Sequence, residues 1–497
     1  MLLVALVGLS LSVLVESLLL PRPALRRPTS CWMLHAGLWC VGLGLLYGLT
    51  ARPLFSGVNL LLLWLLIVLV SNTKYRSLRE PFVCADFEFF SDMLRFPRLY
   101  LPYFGFVKAA LLALGFLAYL WAGLTFEVPG ARPQALVPLV LGLGLLRLGN
   151  RRVQPSFDAE QDLRAWGLAA CLWRYFWAAR QPVDCSQLTS PFAAVQACPA
   201  QLPDLVSIQS ESFFDVRKLW RGIRPQVLGE FDRLNREALA QGKLQVAAWG
   251  ANTVRTEFAY LTGISAQRLG VHRFNPYRTL ARQGLPSIAS ALKAQGYRTV
   301  CIHPYEGSFY GRDKVLPALG FDDFIDIRAF DTSQKAGPFI GDCAVAHKVR
   351  ELLQAPGRQQ PLFIHVITME NHGPLHLERV ADIELPIWFD RPLQPGMSDL
   401  APYLRHIGNT NRMLGLLRDT LLAQPHEALL CFFGDHVPIL PQVYQATGAP
   451  AGDTDYLIWS NRHQPGCSPA PMQVEALSSA LLEHAHAPRV MPAAKVA

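Results

Sequence analysis

In the second half of the chain, short unbroken apolar runs alternate with longer segments whose apolar residues recur at helical spacing. The runs are Leu205–Ile208, Thr299–Ile302, Leu362–Ile367 and Leu429–Phe433. Runs this short, rich in β-branched and aromatic residues, predict strands buried on both faces, the habit of a parallel sheet. The segments Leu285–Gln295, Ala344–Leu353, Tyr403–Leu422 and Val474–Glu483 predict helices between them. From about Gln201 onward the pattern is therefore that of an α/β domain, long enough to bury a single large core.

Each run ends in polar residues with chemistry. The first leads to Gln209-Ser210-Glu211-Ser212, the second to His303, the third to Thr368-Met369-Glu370-Asn371-His372, and the fourth to Gly434-Asp435-His436. Ligands of open α/β sheets gather just beyond the carboxyl ends of the strands. Strand ends that deliver Glu, His, His and Asp-His to one edge predict an active site. Glu211, Asp435 and His436 together offer two carboxylates and an imidazole, a set suited to a divalent cation of the Mn, Zn or Mg kind. Taken singly, a Glu after a strand is more often a surface residue, and Gly-Asp-His more often a turn. Between these motifs, Gly250-Ala251-Asn252-Thr253 opens a helix-like stretch through Glu257-Phe258. Thr253 there either presents its hydroxyl at a helix N-terminus that favours anions or merely caps the helix.

The first half reads differently. Met1–Leu20 carries one charge, Glu16; Cys31–Thr50 and Leu54–Asn72 carry none; Phe106–Thr125 holds only Lys108. Each approaches the roughly 20 apolar residues that span a bilayer. With 51% hydrophobic and only 17% charged residues, the chain is too apolar for one soluble domain. Met1–Leu20 has no basic start and no small-residue cleavage site before Pro21-Arg22, so it reads as a retained span rather than a signal peptide. Ala135–Leu146, followed by Arg147, Arg151 and Arg152, is a shorter candidate for a fifth. Arg22, Arg26 and Arg27 in the first loop, and Lys74, Arg76, Arg79, Arg95 and Arg98 in the third, place those loops in the cytoplasm by the positive-inside rule. Four spans then put the second half outside; five put it inside.

Residues 1–150 are thus expected to form a membrane domain of four or five transmembrane helices. Residues 151–200, with Trp166, Trp173, Tyr175, Phe176 and Trp177 beside Arg174 and Arg180, are expected to be an interfacial linker. Residues 201–490 are expected to form the catalytic domain, and the chain beyond about Ala487 a frayed tail. Lys74–Gly105 reads as an amphipathic element on the bilayer surface. The formal net charge of +8 is largely loop Arg. No basic–aromatic interleaving, RNA-binding signature or zinc-finger spacing points to nucleic acid as a partner. Among ten cysteines there is no CxxC pair, which speaks against structural zinc. Cys185 and Cys198 are candidates for a disulfide in an oxidising compartment, and Cys301 and Cys431 read as buried thiols of core strands.

The ordered set Gln209-Ser210-Glu211-Ser212, Gly250…Thr253…Glu257-Phe258, His303…Phe309-Tyr310-Gly311-Arg312-Asp313, Asn371-His372 and Gly434-Asp435-His436 resembles the lipoteichoic acid synthase-like phosphoglycerol transferases of the alkaline phosphatase/sulfatase superfamily. The likeness runs from about Leu205 to Phe433 and beyond, behind membrane spans as in that family. It implies a transmembrane helix bundle followed by an α/β/α domain with a mainly parallel central sheet. It also implies that Glu211, Thr253, Asp435 and His436 hold one divalent cation, usually Mn2+ in the family, with Zn2+ or Mg2+ as alternatives. Thr253 becomes the nucleophile that takes phosphoglycerol from a membrane phospholipid, for transfer to a hydroxyl of an extracytoplasmic glycan or polymer.

Arg312 and His372 fall where the family binds the phosphoglycerol group. The Arg fork fits phosphate oxygens, and His372 can donate to another oxygen or protonate a leaving group. Tyr310 stands where relatives often carry Trp, which bears on the shape of the glycerol pocket, and His303 is a second candidate contact. A lipid donor and a polymer acceptor outside the cell imply a multi-pass protein of a bacterial cytoplasmic (inner) membrane with its catalytic domain outward. A phosphoethanolamine transferase of the same superfamily is the first rival and would carry additional histidines near the metal and a disulfide-rich domain. A sulfatase-like hydrolase is the second; position 253 is Thr, without the Cys/Ser-x-Pro-x-Arg context of a sulfatase. A domain that only binds polymer would have lost the nucleophile or the ligands, and all are present.

Overall fold

The computed structural model describes residues 1–87, 106–150, 153–193, 202–462 and 467–487. Two compact units result, Met1–Pro182 and Val183–Ala497. Cys198, the end of the tail, most of the proposed surface element before Gly105 and parts of the stretch 151–200 lie outside the described residues.

The first unit is helical: α1 (Leu2–Glu16), α2 (Thr29–Thr50), α3 (Pro53–Leu78), α4 (Phe106–Phe126) and α5 (Leu136–Asn150), followed by two shorter helices, Ala159–Trp166 and Leu168–Ala178. Of these, α2 and α3 are long and apolar enough to cross a membrane. Leu6, Leu14, Leu62, Leu66, Val140 and Leu141 point outward, exposed, as suits helices bathed in lipid. The short α5 is a packed helix antiparallel to α2. A Cβ added at Gly142 would stand 2.8 Å from the Gly37 carbonyl oxygen, and one at Gly149 2.8 Å from that of Ser30. Such close backbone approach is what small residues permit between apolar helices. The end of α5 thus lies beside the start of α2, at the end of the bundle that carries the Arg22–Arg27 loop. Two of the cations that orient the chain by simple counting are neutralised there. Arg27 pairs with the buried Glu16, and Lys74 with Glu80 at 2.6 Å and Asp86 at 2.7 Å.

The second unit is built on an eight-stranded sheet. Its strands are β1 (Asp204–Ser210), β2 (Ala240–Gln245), β3 (Arg298–Ile302), β4 (Asp323–Ile325), β7 (Leu362–Ile367), β8 (Ala428–Gly434), β9 (Thr454–Ser460) and β10 (Met472–Gln473); β5 (Lys335–Ala336) and β6 (Phe339–Ile340) form a separate hairpin. The order is β10-β2-β9-β8-β1-β7-β3-β4. The run from β8 to β4 is parallel, and β9 is antiparallel to both β8 and β2. Successive residues of the central strands enter opposite cores. Val206, Ile208, Ile364, Val366, Leu430 and Phe432 pack against helices Asp342–Leu353 and Leu400–Leu422. Leu205, Phe363, Ile367, Leu429, Cys431 and Phe433 pack against helices Thr253–Thr262, Ile288–Ala294 and Val474–His486. Both faces are covered, which is why the strands read as unbroken apolar runs. Cys301 and Cys431 are free and buried within them.

Candidate metal and phosphate site

Strand register brings the first ligands together. Ser210 of β1 pairs with Gly434 of β8, so Glu211 and Asp435 leave the sheet side by side at its carboxyl edge. Gly434 has to be glycine, because a Cβ there would meet the Phe213 carbonyl oxygen at 1.9 Å. One ligand atom from each of Glu211, Asp435 and His436 lies within 4.8 Å of the others, and all three residues are buried. Asp435 Oδ1 accepts the backbone N–H groups of Ser212 and His436, each at 2.8 Å. Its Oδ2 accepts nothing. His436 Nδ1 lies 3.1 Å from the Val437 carbonyl oxygen; donation there leaves the Nε2 lone pair facing the carboxylates, 3.4 Å from Asp435 Oδ2 and 3.7 Å from Glu211 Oε1.

Burial, and secondarily the charge of Glu211, pushes the Asp435 carboxyl up. Burial opposes charge on His436, but Asp435 and Glu211 outweigh it and raise its pKa. The His436 shift reports the negative potential of the two carboxylates, and the Asp435 shift chiefly reports burial. Two buried carboxylates, one oxygen orphaned, with an imidazole lone pair aimed between them, fit a divalent cation.

Thr253 opens helix Thr253–Thr262 directly after Asn252, which sits in the left-handed region at φ +68°. Thr256 Oγ1 donates to the Asp435 carbonyl oxygen at 2.8 Å, fixing the first turn of that helix against the ligand strand. The Thr253 side chain lies beside Asp435, close enough to favour its ionised form.

One turn further along the helix, buried Glu257 holds Arg312. Nη2 of Arg312 donates to Glu257 Oε2 at 2.8 Å and Nε to Oε1 at 3.1 Å, while Tyr277 adds its hydroxyl to Oε1. Arg312 Nη1 stands 3.1 Å from His303 Nε2, and His303 Nδ1 stands 3.0 Å from the Ile367 carbonyl oxygen. Nδ1–H therefore donates to the carbonyl and Nε2 accepts from Arg312. Burial and then the Arg312 charge hold His303 neutral, well below its ordinary range, with His372 near enough to add to the effect. Arg312 itself is buried, and its guanidinium stands 5.3 Å from the Tyr310 ring. His372 is half-buried, with Nδ1 2.8 Å from the Gly373 carbonyl oxygen and its ring against Phe339.

Every residue singled out from the sequence thus falls at the same sheet edge, in two groups: Glu211, Thr253, Asp435 and His436; and His303, Tyr310, Arg312 and His372. Sequence reasoning gave no role to four residues that hold them. Ser212 Oγ donates to Glu211 Oε1 at 2.8 Å, and Asn371 Nδ2 donates to the backbone carbonyls of Glu211 and Ser212 at 3.3 Å each. Glu257 and Tyr277 anchor Arg312. Ser212, Asn371 and Glu257 stood within the sequence motifs without a role, Glu257 four residues after Thr253 and so one turn away on the same helix; Tyr277 left no trace. Among the described residues of this unit, the non-glycine positions with positive φ are Ser212, Asn252 and Tyr310. All three adjoin the site, the usual location of stored backbone strain.

Known proteins share both the domain and the larger architecture. The chain is 26% identical over 438 residues to a capsular polysaccharide biosynthesis protein of Rhizobium meliloti, covering 83% of this chain and 78% of that protein. It is 29% identical over 304 residues to a protein of the same species named for cyclic beta-1,2-glucan modification. That match covers 57% of this chain and 46% of the relative, so the chain spans just under half of that relative's length. The integral membrane lipooligosaccharide phosphoethanolamine transferase A of Neisseria meningitidis superposes with a TM-score of 0.57 over 91% of this chain and 87% of its own, at 13% identity, a likeness of fold. The sulfatase family model matches residues 203–487, which contain both groups of site residues; the chain belongs to the sulfatase family.

Proposed function

We propose that the protein is a membrane-anchored, metal-dependent phosphoglycerol transferase that acts on an extracytoplasmic glycan. The observation that carries this reading is the convergence of Glu211, Asp435 and His436 beside Thr253 at a helix N-terminus, with an orphaned carboxylate oxygen among them. Glu211, Thr253, Asp435 and His436 would hold a divalent cation, Mn2+, which would supply Lewis-acid charge that lowers the pKa of the Thr253 hydroxyl.

Thr253 Oγ1 attacks the phosphorus of phosphatidylglycerol in line, and the bond to the diacylglycerol oxygen breaks. Diacylglycerol leaves with a proton, and phosphoglycerol stays on Thr253. An acceptor hydroxyl then attacks the same phosphorus, loses its proton and restores the threonine. Arg312, with guanidinium N–H groups beyond those that bind Glu257 and His303, balances charge on the phosphoryl oxygens. His372 donates to a phosphate oxygen or to the departing alkoxide; His303 and Tyr310 bound the glycerol end.

The motif resemblance supports phosphoglycerol as the group transferred, and the names of the two Rhizobium relatives support a glycan as acceptor. A lipid donor and an external acceptor place the second unit outside a bacterial cytoplasmic membrane, with the first unit as a multi-pass anchor.

Intact mass of the full-length protein after incubation with Mn2+ and phosphatidylglycerol tests the reading. Wild type gains a phosphoglycerol-sized adduct and Thr253→Ala does not. An adduct with phosphatidylethanolamine alone would assign the phosphoethanolamine reaction instead, and an equal adduct on Thr253→Ala would remove Thr253 as the nucleophile.

A further inference from the structure

Glu370 lies in the motif that carries His372, yet none of the chemistry above uses it. It is fully buried, and so is His406, in the middle of helix Leu400–Leu422. His406 Nδ1 is 2.9 Å from Glu370 Oε1, and its Nε2 is 3.0 Å from Glu378 Oε2 and 3.2 Å from Oε1. An ionised carboxylate only accepts, so both ring nitrogens carry protons and the ring is an imidazolium. Glu370 and Glu378 stand on either side of His372 in the chain. A single buried cation therefore holds both ends of the loop that presents His372.

The remaining contacts complete the arrangement. Glu370 Oε2 accepts the Asp342 N–H at 2.6 Å, and Oε1 also accepts from Asn409. Arg405 donates to Glu378 Oε2. Asp342 Oδ2 accepts the Thr410 hydroxyl at 2.6 Å. Burial, then the charge of Glu370, pushes the Asp342 carboxyl up to about 8. Glu370 and Glu378 face the cationic partners His406 and Arg405. Cys343 and Arg412, each bonded to Asn409, also border the cluster, and the charge of Glu211 reaches Asp342. At Gly337 of the β5–β6 hairpin, an added Cβ would stand 2.9 Å from Glu378 Oε2 and 3.3 Å from the His406 ring, so the hairpin closes over the pair.

We propose that His406 is a positioning residue for His372: its imidazolium clasps Glu370 and Glu378 and so fixes the loop between them against helix Leu400–Leu422. The inference rests on the reading of His372 as a residue that meets the phosphoryl group. The clasp touches neither the metal ligands nor Arg312. Asn371, inside the same loop, donates to the Glu211 and Ser212 carbonyls at 3.3 Å each, so loss of the clasp also loosens one support of Glu211. Glu211, Asp435 and His436 stay at the sheet edge, and a displacement of His372 by about 1 Å costs on the order of 100-fold in rate.

The test is a double-mutant cycle on the full-length protein, with two readouts that need no turnover. His406→Gln is expected to lower phosphoglycerol transfer by about 100-fold in the wild-type background and by no more than about twofold with His372→Ala, because the clasp then has nothing left to position. Mn2+ affinity, measured by calorimetry, falls by no more than about tenfold, the share of one outer contact to Glu211. Amide hydrogen exchange over residues 371–377 speeds up in His406→Gln. Glu378→Gln, which removes one charge at the more accessible end and keeps an acceptor for His406, gives the same pattern at smaller amplitude if His406→Gln does not fold. Equal losses in both backgrounds, a parallel loss of Mn2+ affinity, or unaltered exchange in the loop would overturn the clasp. A wild type with no transfer from phosphatidylglycerol would instead defeat the functional reading, and the exchange experiment would still decide the clasp.

Discussion

Two buried carboxylate–histidine clusters lie in the second unit, and their compositions are nearly the same. Around His436, the imidazole Nε2 stands 3.4 and 3.7 Å from the carboxylates, and Asp435 Oδ2 has no donor. Around His406, both ring nitrogens bond carboxylates at 2.9 and 3.0 Å, and every carboxylate oxygen of Glu370 and Glu378 accepts at least one hydrogen bond. In the first cluster the unpartnered oxygen, Asp435 Oδ2, faces a second carboxylate and an imidazole. In the second, His406 is fully paired with Glu370 and Glu378, and the unpartnered oxygen, Asp342 Oδ1, belongs to a carboxyl whose pKa is raised by burial. Residue type does not separate a metal site from a structural ion cluster. The balance of donors against acceptors does, because a buried charge persists only when something compensates it.

Changing the demand of the first cluster should have the largest effect. Asp435→Asn is expected to abolish measurable Mn2+ binding and to lower transfer by at least about 1,000-fold, read by calorimetry and by turnover. The same substitution removes a buried, partly unpaired carboxylate, so with chelator present the variant should melt above wild type. A lower melting temperature would mean that protein atoms already compensate Asp435.

The second cluster is expected to respond to pH. Burial opposes charge on His406, but the bonds to Glu370 and Glu378 win and raise its pKa to about 9. A raised histidine contributes stability that is complete below its unfolded value of about 6.5 and is lost as pH rises through about 9. The raised Asp342 carboxyl acts in the same direction, since its bound proton is lost toward about 8. Through His406 alone, chelated protein should therefore lose about 3 kcal/mol between pH 6.5 and 9, with the Asp342 share added to it, measured by urea denaturation, and Glu378→Gln should flatten that slope. A stability that rises over this interval would mean that His406 is neutral.

The smallest effect is expected where a neighbour merely orients a ligand. Ser212→Ala removes the bond to Glu211 Oε1 and should weaken Mn2+ binding by about tenfold, the lower bound for such outer contacts, with the melting temperature of the chelated protein little changed.

Much of this was legible in the sequence, for definite reasons. The four central strands are buried on both faces, and unbroken apolar runs announced them. Register then did the rest, because pairing Ser210 with Gly434 places Glu211 beside Asp435 automatically. The edge was harder to read. β2, Ala240–Gln245, is polar with only Leu244 fully buried, and its pairing partner β9 lies more than 200 residues on. The clasp left no local signal either. Helix Leu400–Leu422 is amphipathic and was legible as a helix, but His406 meets Glu370 and Glu378 across 36 and 28 residues, and no periodicity encodes such a contact. Arg312 was expected to meet phosphate by resemblance alone, and its commitment to Glu257 is a tertiary fact.

The left-handed backbone at Ser212, Asn252 and Tyr310 also limits how this protein can be improved. A stability-guided library would replace each with glycine, and each replacement would relax roughly 1 kcal/mol of local strain. The same change would return freedom to the unfolded chain and loosen the peptide units next to Glu211, Thr253 and Arg312. Variants selected for heat tolerance alone are thus expected to drift toward inactive catalysts at these three codons, and a screen for robust versions of the enzyme would do well to hold them constant.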